Sequence, residues 1–174
     1  MTIRSILTLA AAPVLLAACN SSEDSGTQAE TPQPEPVLTQ APTATAAPDG
    51  SALVPGALSV TEDADGARAM FGEEDVDTTL SLVCSPDGQF TMGLESGAEA
   101  ETWRLDAGGE AARVDMVSDG NEVLSYLVAD LDPGLGIVDA MGETGQVFTL
   151  TSPEGERLQF PTNPGIRRVI AACR

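Results

Sequence analysis

Residues 78–95 read TTLSLVCSPDGQFTMGLE, and the fold class follows from them. Leu80, Leu82 and Cys84 occupy alternate positions, and Phe90, Met92 and Leu94 alternate with Gln89, Thr91 and Gly93. Side chains of an extended chain point to opposite faces in turn, so each run presents one apolar and one polar face, the signature of a half-buried strand. Between the runs, Ser85-Pro86-Asp87-Gly88 supplies turn chemistry: proline fixes φ and glycine accepts the left-handed region. The stretch predicts a β-hairpin.

The same rhythm continues on both sides. Thr102–Leu105, Ala112–Val117 and Glu122–Val128 read as strands, separated by Gly108-Gly109 and Asp119-Gly120-Asn121 as turns. Val147–Leu150 and Arg157–Phe160 flank Ser152-Pro153-Glu154-Gly155 as a second hairpin, and Ala57–Thr61 with Arg68–Phe71 reads as an edge hairpin. Two segments leave the rhythm. Asp132-Pro133 has the cap-then-proline form of a helix start, followed by Leu135, Val138 and Met141 at helical spacing. Asn163-Pro164 repeats that opening, and Ile166, Val169, Ile170 and Cys173 then share one helical face. The expected fold is mainly β. It is a small antiparallel sandwich or partly open barrel with a short mid-domain helix, a C-terminal amphipathic helix and one disulfide.

Composition closes off most alternatives for function. The chain has 174 residues, enough for one ordinary domain with appendages. Its 27 acidic residues face 8 basic ones, all arginine, for a net charge of −19, so binding to a phosphate backbone has no electrostatic support. Without histidine or lysine it has no Ser/His/Asp or Cys/His device, no histidine-ligated zinc, no Walker lysine and no Schiff-base lysine. No enzyme activity, nucleic-acid partner or cofactor is expected.

The N-terminus carries an address. Arg4 precedes an apolar run from Ile6 to Ala18 that is too short to cross a bilayer, as in a signal-peptide core. The run ends in Leu16-Ala17-Ala18-Cys19, which resembles the bacterial lipobox: a large aliphatic residue, two small ones, then the thiol that takes the lipid. The resemblance implies cleavage between Ala18 and Cys19 and a diacylglycerol, with a further acyl chain such as palmitate, on the new first residue. Each buried methylene contributes about 0.8 kcal/mol, so two or three chains hold firmly. Asn20, in place of an inner-membrane retention aspartate, favours the outer membrane of a two-membrane cell. The protein is then a membrane-anchored lipoprotein facing the periplasm.

From residue 19 to 56 the chain turns to Ser, Thr, Ala, Glu, Gln and Pro without aromatics. Such a segment cannot bury enough apolar surface to offset the entropy of ordering it, and it reads as a disordered tether. Its reach is on the order of 35 Å as a coil and about 110 Å at the polyproline limit. Residues 57–174 form the globular domain, giving three parts: signal peptide 1–18, lipidated tether 19–56, β-domain 57–174.

Three cysteines leave an odd thiol until lipidation of Cys19 is counted, after which Cys84 and Cys173 form a pair. Both face inward by the periodicities above, and an exported location makes a disulfide the expected state. The tail, from Asp132-Pro133 through Phe148 and Phe160-Pro161 to Ile166-Arg167-Arg168-Val169 and Cys173-Arg174, resembles the end of small exported alphaproteobacterial proteins of unknown function. In those proteins an early strand bears a cysteine and an Ile-x-Arg-Val-x-x-x-Cys-Arg helix closes the chain. The resemblance supports the Cys84 to Cys173 pairing and implies no activity.

Other constellations read as structural. Glu62, Asp63 and Asp65, and Glu73, Glu74, Asp75 and Asp77, lack the ligand spacing of a calcium loop and are expected to be solvated turns. Trp103 and Tyr126 sit in strand patterns and are expected in the core. Arg167, Arg168 and Arg174 are the one basic concentration. They either complement the end of the last helix and nearby carboxylates or contact an anionic envelope component. The expected function is a noncatalytic interaction or structural module of the cell envelope, with an envelope protein or a peptidoglycan component as partner. The alternative is an inhibitor of a basic enzyme such as lysozyme, steered in by the −19 charge.

Overall fold

The 78–95 hairpin stands within one antiparallel sheet. In the computed structural model, which describes residues 39–40, 46–47, 49–121 and 123–174, the strands are β1 (Thr39–Gln40), β2 (Ala57–Asp63), β3 (Gly66–Gly72), β4 (Thr78–Cys84), β5 (Phe90–Glu95), β6 (Ala100–Ala107), β7 (Glu110–Ser118), β8 (Tyr126–Leu131), β9 (Val147–Thr151) and β10 (Arg157–Pro161). Helix α1 (Gly136–Met141) lies between β8 and β9, and α2 (Pro164–Ala172) follows β10. The sequence expected to form the leader, Leu16–Cys19 included, lies outside the described residues, as does most of the tether.

The sheet order is β1-β2-β3-β4-β5-β8-β7-β6-β9-β10, nine full strands and the two-residue β1. Neighbours in the chain pair as hairpins except at two jumps. After β5 the chain skips two places to β6 and folds back, so that β8 pairs with β5 in register Glu95↔Tyr126. After β8 it crosses through α1 to the far flank of β6.

The sheet curls. Phe71 on β3 and Phe160 on β10 are seven strand intervals apart in the order, a separation of about 33 Å in a flat sheet. Their ring centroids are 5.4 Å apart, edge to face, and Phe148 stacks on Phe160 at 5.3 Å. The strands therefore wrap into a half-barrel, the partly open barrel rather than the sandwich. Its concave face carries the alternating residues read from the sequence: Leu80, Leu82 and Cys84 of β4, then Phe90, Met92 and Leu94 of β5, are all buried. Helix α2 lies against β2, β3 and β4, and α1 packs near β6, β7 and β9.

Helix α2 begins as expected. Pro164 occupies its first turn and the Asn163 side chain accepts a hydrogen bond from the Gly165 N–H at 2.8 Å. Ile166, Val169 and Ile170 are buried. Gly165 is buried at the contact with the sheet, where a Cβ would lie 2.5 Å from Val60 Cγ2, so only glycine lets the helix approach this closely.

Three boundaries differ from the sequence expectation. Strand β8 starts at Tyr126 and not at Glu122, which itself lies outside the described residues. Asp119 accepts bonds from the N–H groups of Asn121 and Tyr126, and Asn121 accepts from Val123, so side chains hold this backbone in a loop. Helix α1 starts at Gly136, because Asp132 spends its carboxylate on the Gly134 N–H in a turn, and Leu135 caps the helix without a side-chain bond. The packed chain also reaches back before Ala57. Thr39 and Gln40 pair with Val60 and Ser59, Ala47 is buried, and the Val54 N–H donates to the Gln159 carbonyl on the β10 edge at 2.9 Å.

Candidate functional site

Of the residues singled out from the sequence, Ala18 and Cys19 lie outside the described residues. Cys84, the last residue of β4, and Cys173, the first beyond α2, form a disulfide with Cα atoms 5.5 Å apart. Cys84 is buried, and the bond fastens the end of α2 to the sheet. No helix among the described residues is long and apolar enough to cross a membrane.

The three C-terminal arginines do not converge. Arg167 donates to Glu143 Oε1 at 2.6 Å and its Nε lies 3.4 Å from the Gly142 carbonyl. Arg168 Nε stands 2.6 Å from Glu62 Oε1 at the end of β2. Arg174 pairs with Asp139 of α1 at 2.8 Å and donates through Nε to the Pro133 carbonyl. Each guanidinium ties α2 or the C-terminus to a different element. As partly exposed pairs they contribute at most about 1 kcal/mol each, and their combined effect is to complement neighbouring carboxylates.

On the convex face Arg104 and Arg113 sit directly opposite each other on β6 and β7, a like-charge pairing that is destabilising on its own. Each turns to a carboxylate two residues on, Arg104 to Asp106 at 2.6 Å and Arg113 to Asp115 at 2.8 Å. A hydrogen bond with Asp106 raises the Arg104 pKa, and the Thr102 hydroxyl, ahead of Arg113, lowers that of Asp115. A shallow cleft of about 460 Å³ lies beside them, lined by Arg104, Asp106, Glu110, Asp49 and Gln146. Among the described residues no three His, Cys, Asp or Glu side chains are placed to hold a metal ion.

The feature missed by sequence reading lies at one end of the half-barrel. In an antiparallel sheet every second connection falls at the same end, and here the register brings together the β3–β4 loop (73–77), the β5–β6 loop (96–99) and the β7–β8 loop (119–125). These loops and the adjoining strand ends carry Glu73, Glu74, Asp75 and Asp77, Glu95 and Glu99, and Asp119; the β9–β10 hairpin reaches the same end beyond β6, where Arg157 opens β10. Tyr126 reports their closeness. Burial raises its phenol pKa, the Glu95 and Asp77 carboxylates raise it further and Asp119 adds to them, while the bond its hydroxyl donates to the Thr78 carbonyl at 2.7 Å opposes the shift. Tyr126 is thus half-buried at this end, whereas Trp103 is in the core with its indole N–H donated to Glu101 at 2.8 Å.

The same end holds a groove of about 320 Å³ with Ala57, Met70 and Val76 among its walls and Glu73 and Glu74 at its rim. Met70 and Val76 are 37% and 62% exposed, and Val117 and Val123 add further exposed apolar surface at this end. The signal was available in the sequence only through the connectivity, since 73–77 and 119–125 are far apart in the chain. No family model matches the chain, and no curated protein or solved structure is significantly similar to it.

Proposed function

We propose that the chain is a cell-envelope lipoprotein, anchored through acyl chains on Cys19 and facing the periplasm, preferably from the outer membrane, with its β-domain serving as a noncatalytic interaction module. The observation that carries this reading is Leu16-Ala17-Ala18-Cys19 placed directly after a charged start and a short apolar run. The cysteine count supports it: Cys84 and Cys173 are bonded to each other, which leaves Cys19 as the thiol outside the bond. A structural disulfide also suits an oxidising compartment. The lack of histidine and lysine supports a noncatalytic role, because the usual nucleophile, base and cofactor-holding devices cannot be assembled.

Metabolic labelling with an alkyne palmitate analogue tests the anchor. The wild-type chain is expected to take up the label and partition with membranes, and Cys19→Ala to do neither. A wild-type product that stays unlabelled, soluble and uncut at its N-terminus overturns the proposal.

A further inference from the structure

We infer that the loop end around Val76 is a docking surface for a cationic protein, with the groove between β2, β3 and the β3–β4 loop receiving the aliphatic stem of a lysine or arginine. The inference names a partner for the interaction module proposed above and rests on that reading of the domain, but not on the anchor.

A groove with carboxylates at its rim singles out this end. At the opposite end, α2 and the C-terminus bring arginines to carboxylates: Arg168 to Glu62, Arg167 to Glu143 and Arg174 to Asp139. Among the described residues, no ion pair engages Glu73, Glu74, Asp75, Asp77, Glu95 or Glu99. Carboxylates such as Asp65 and Glu110 at the opposite end are also outside these ion pairs, and β10 begins with Arg157 at the loop end, so what sets the three gathered loops apart is that their carboxylates border exposed apolar surface. The raised pKa of Tyr126, due first to burial and then to the Glu95 and Asp77 carboxylates, is consistent with that neighbourhood, but the geometry alone places the loops together.

Charge alone supplies solubility and long-range steering but not a seat for a partner's side chain. Among the described residues, four of the five exposed large hydrophobics, Met70, Val76, Val117 and Val123, lie at this end. Exposed apolar side chains bordered by charge mark interaction sites more than isolated ones do. The groove offers methyl and thioether contacts from Ala57, Val76 and Met70 within reach of the Glu73 and Glu74 carboxylates. Lysine and arginine have this dual character, an apolar stem with a cationic head. An anionic or purely apolar occupant would leave the rim carboxylates repelled or desolvated without a partner.

Binding of the full-length protein, purified in mild detergent, to lysozyme as the basic probe tests this by calorimetry at low salt. A Kd on the order of micromolar is expected, lost when the lysozyme lysines are succinylated. Removing the two rim charges with Glu73→Gln/Glu74→Gln should weaken binding about five- to tenfold. Val76→Ser, which changes no charge, should weaken it about threefold through lost apolar contact. The control pair Asp65→Asn/Glu110→Gln, at the other end and of equal charge change, should stay within about twofold. No binding, an equal loss in the control pair, or an unaffected Val76→Ser overturns the inference. Near-ultraviolet circular dichroism of Trp103 verifies that each variant is folded. Because the assay does not depend on acylation, its failure is separable from failure of the palmitate experiment.

Discussion

Removing the Cys84–Cys173 bond by Cys84→Ala/Cys173→Ala tests the account of how the half-barrel is held. The two cysteines are 89 positions apart. In the chain-entropy description, closing a loop of that size removes about 15 cal/mol/K from the unfolded ensemble, or about 4–5 kcal/mol at 25 °C. That is a large share of the 5–15 kcal/mol typical of a whole domain, and it corresponds to a fall in Tm on the order of 15 °C. The bond also holds α2 against β2, β3 and β4, so its loss acts on the native side as well. The single tryptophan, Trp103, is only 5% exposed and gives a clean fluorescence signal for guanidinium unfolding, with both proteins measured under oxidising conditions. A variant whose unfolding free energy lies within about 1 kcal/mol of the parent, at unchanged m-value, would show that the bond is incidental and that packing alone fixes α2.

Two further predictions follow from single side chains. Gly165→Ala sets a helix-propensity gain of about 1 kcal/mol against overpacking of about 1–3 kcal/mol, because the new Cβ would meet the fully buried Val60 Cγ2 at 2.5 Å. Net destabilisation is expected, partly relieved by Val60→Ala, and a more stable Gly165→Ala protein would contradict the packing described. Tyr126, the only tyrosine, should ionise above the ordinary value of about 10 in an ultraviolet absorbance titration, and Glu95→Gln should lower its midpoint. Since the folded pKa is raised, the unfolded chain loses its proton first. The contribution to stability is therefore complete below the unfolded pKa and disappears as pH climbs through the folded one; a midpoint at or below the ordinary value refutes the acidic neighbourhood.

The 78–95 and 147–160 hairpins were legible because period-two alternation and turn residues specify the same structure in each. The thiol pairing was legible from parity and inward-facing spacing. The arginine cluster misled by its adjacency: Arg167 and Arg168 are neighbours in sequence, but successive residues on a helix diverge by about 100°, and they reach opposite partners, Glu143 and Glu62. The Glu122 boundary failed for a related reason, since the apolar run Val123-Leu124 looks strand-like while Asn121 captures its backbone. Strand order was beyond local reading altogether. Nothing near Phe71 signals that it will meet Phe160, and the acidic end exists only once β8 has doubled back to β5.

The 89 positions between Cys84 and Cys173 mean that the second thiol is synthesised long after the first. If the chain is exported as proposed, Cys84 would emerge long before its partner, and the other thiol already outside in that interval would be Cys19. Under the proposed anchoring, thioether formation retires that competitor, so acylation would protect the nascent chain from the wrong crosslink as well as fixing its address. A premature stop at position 173 would leave Cys84 waiting for a partner that never arrives.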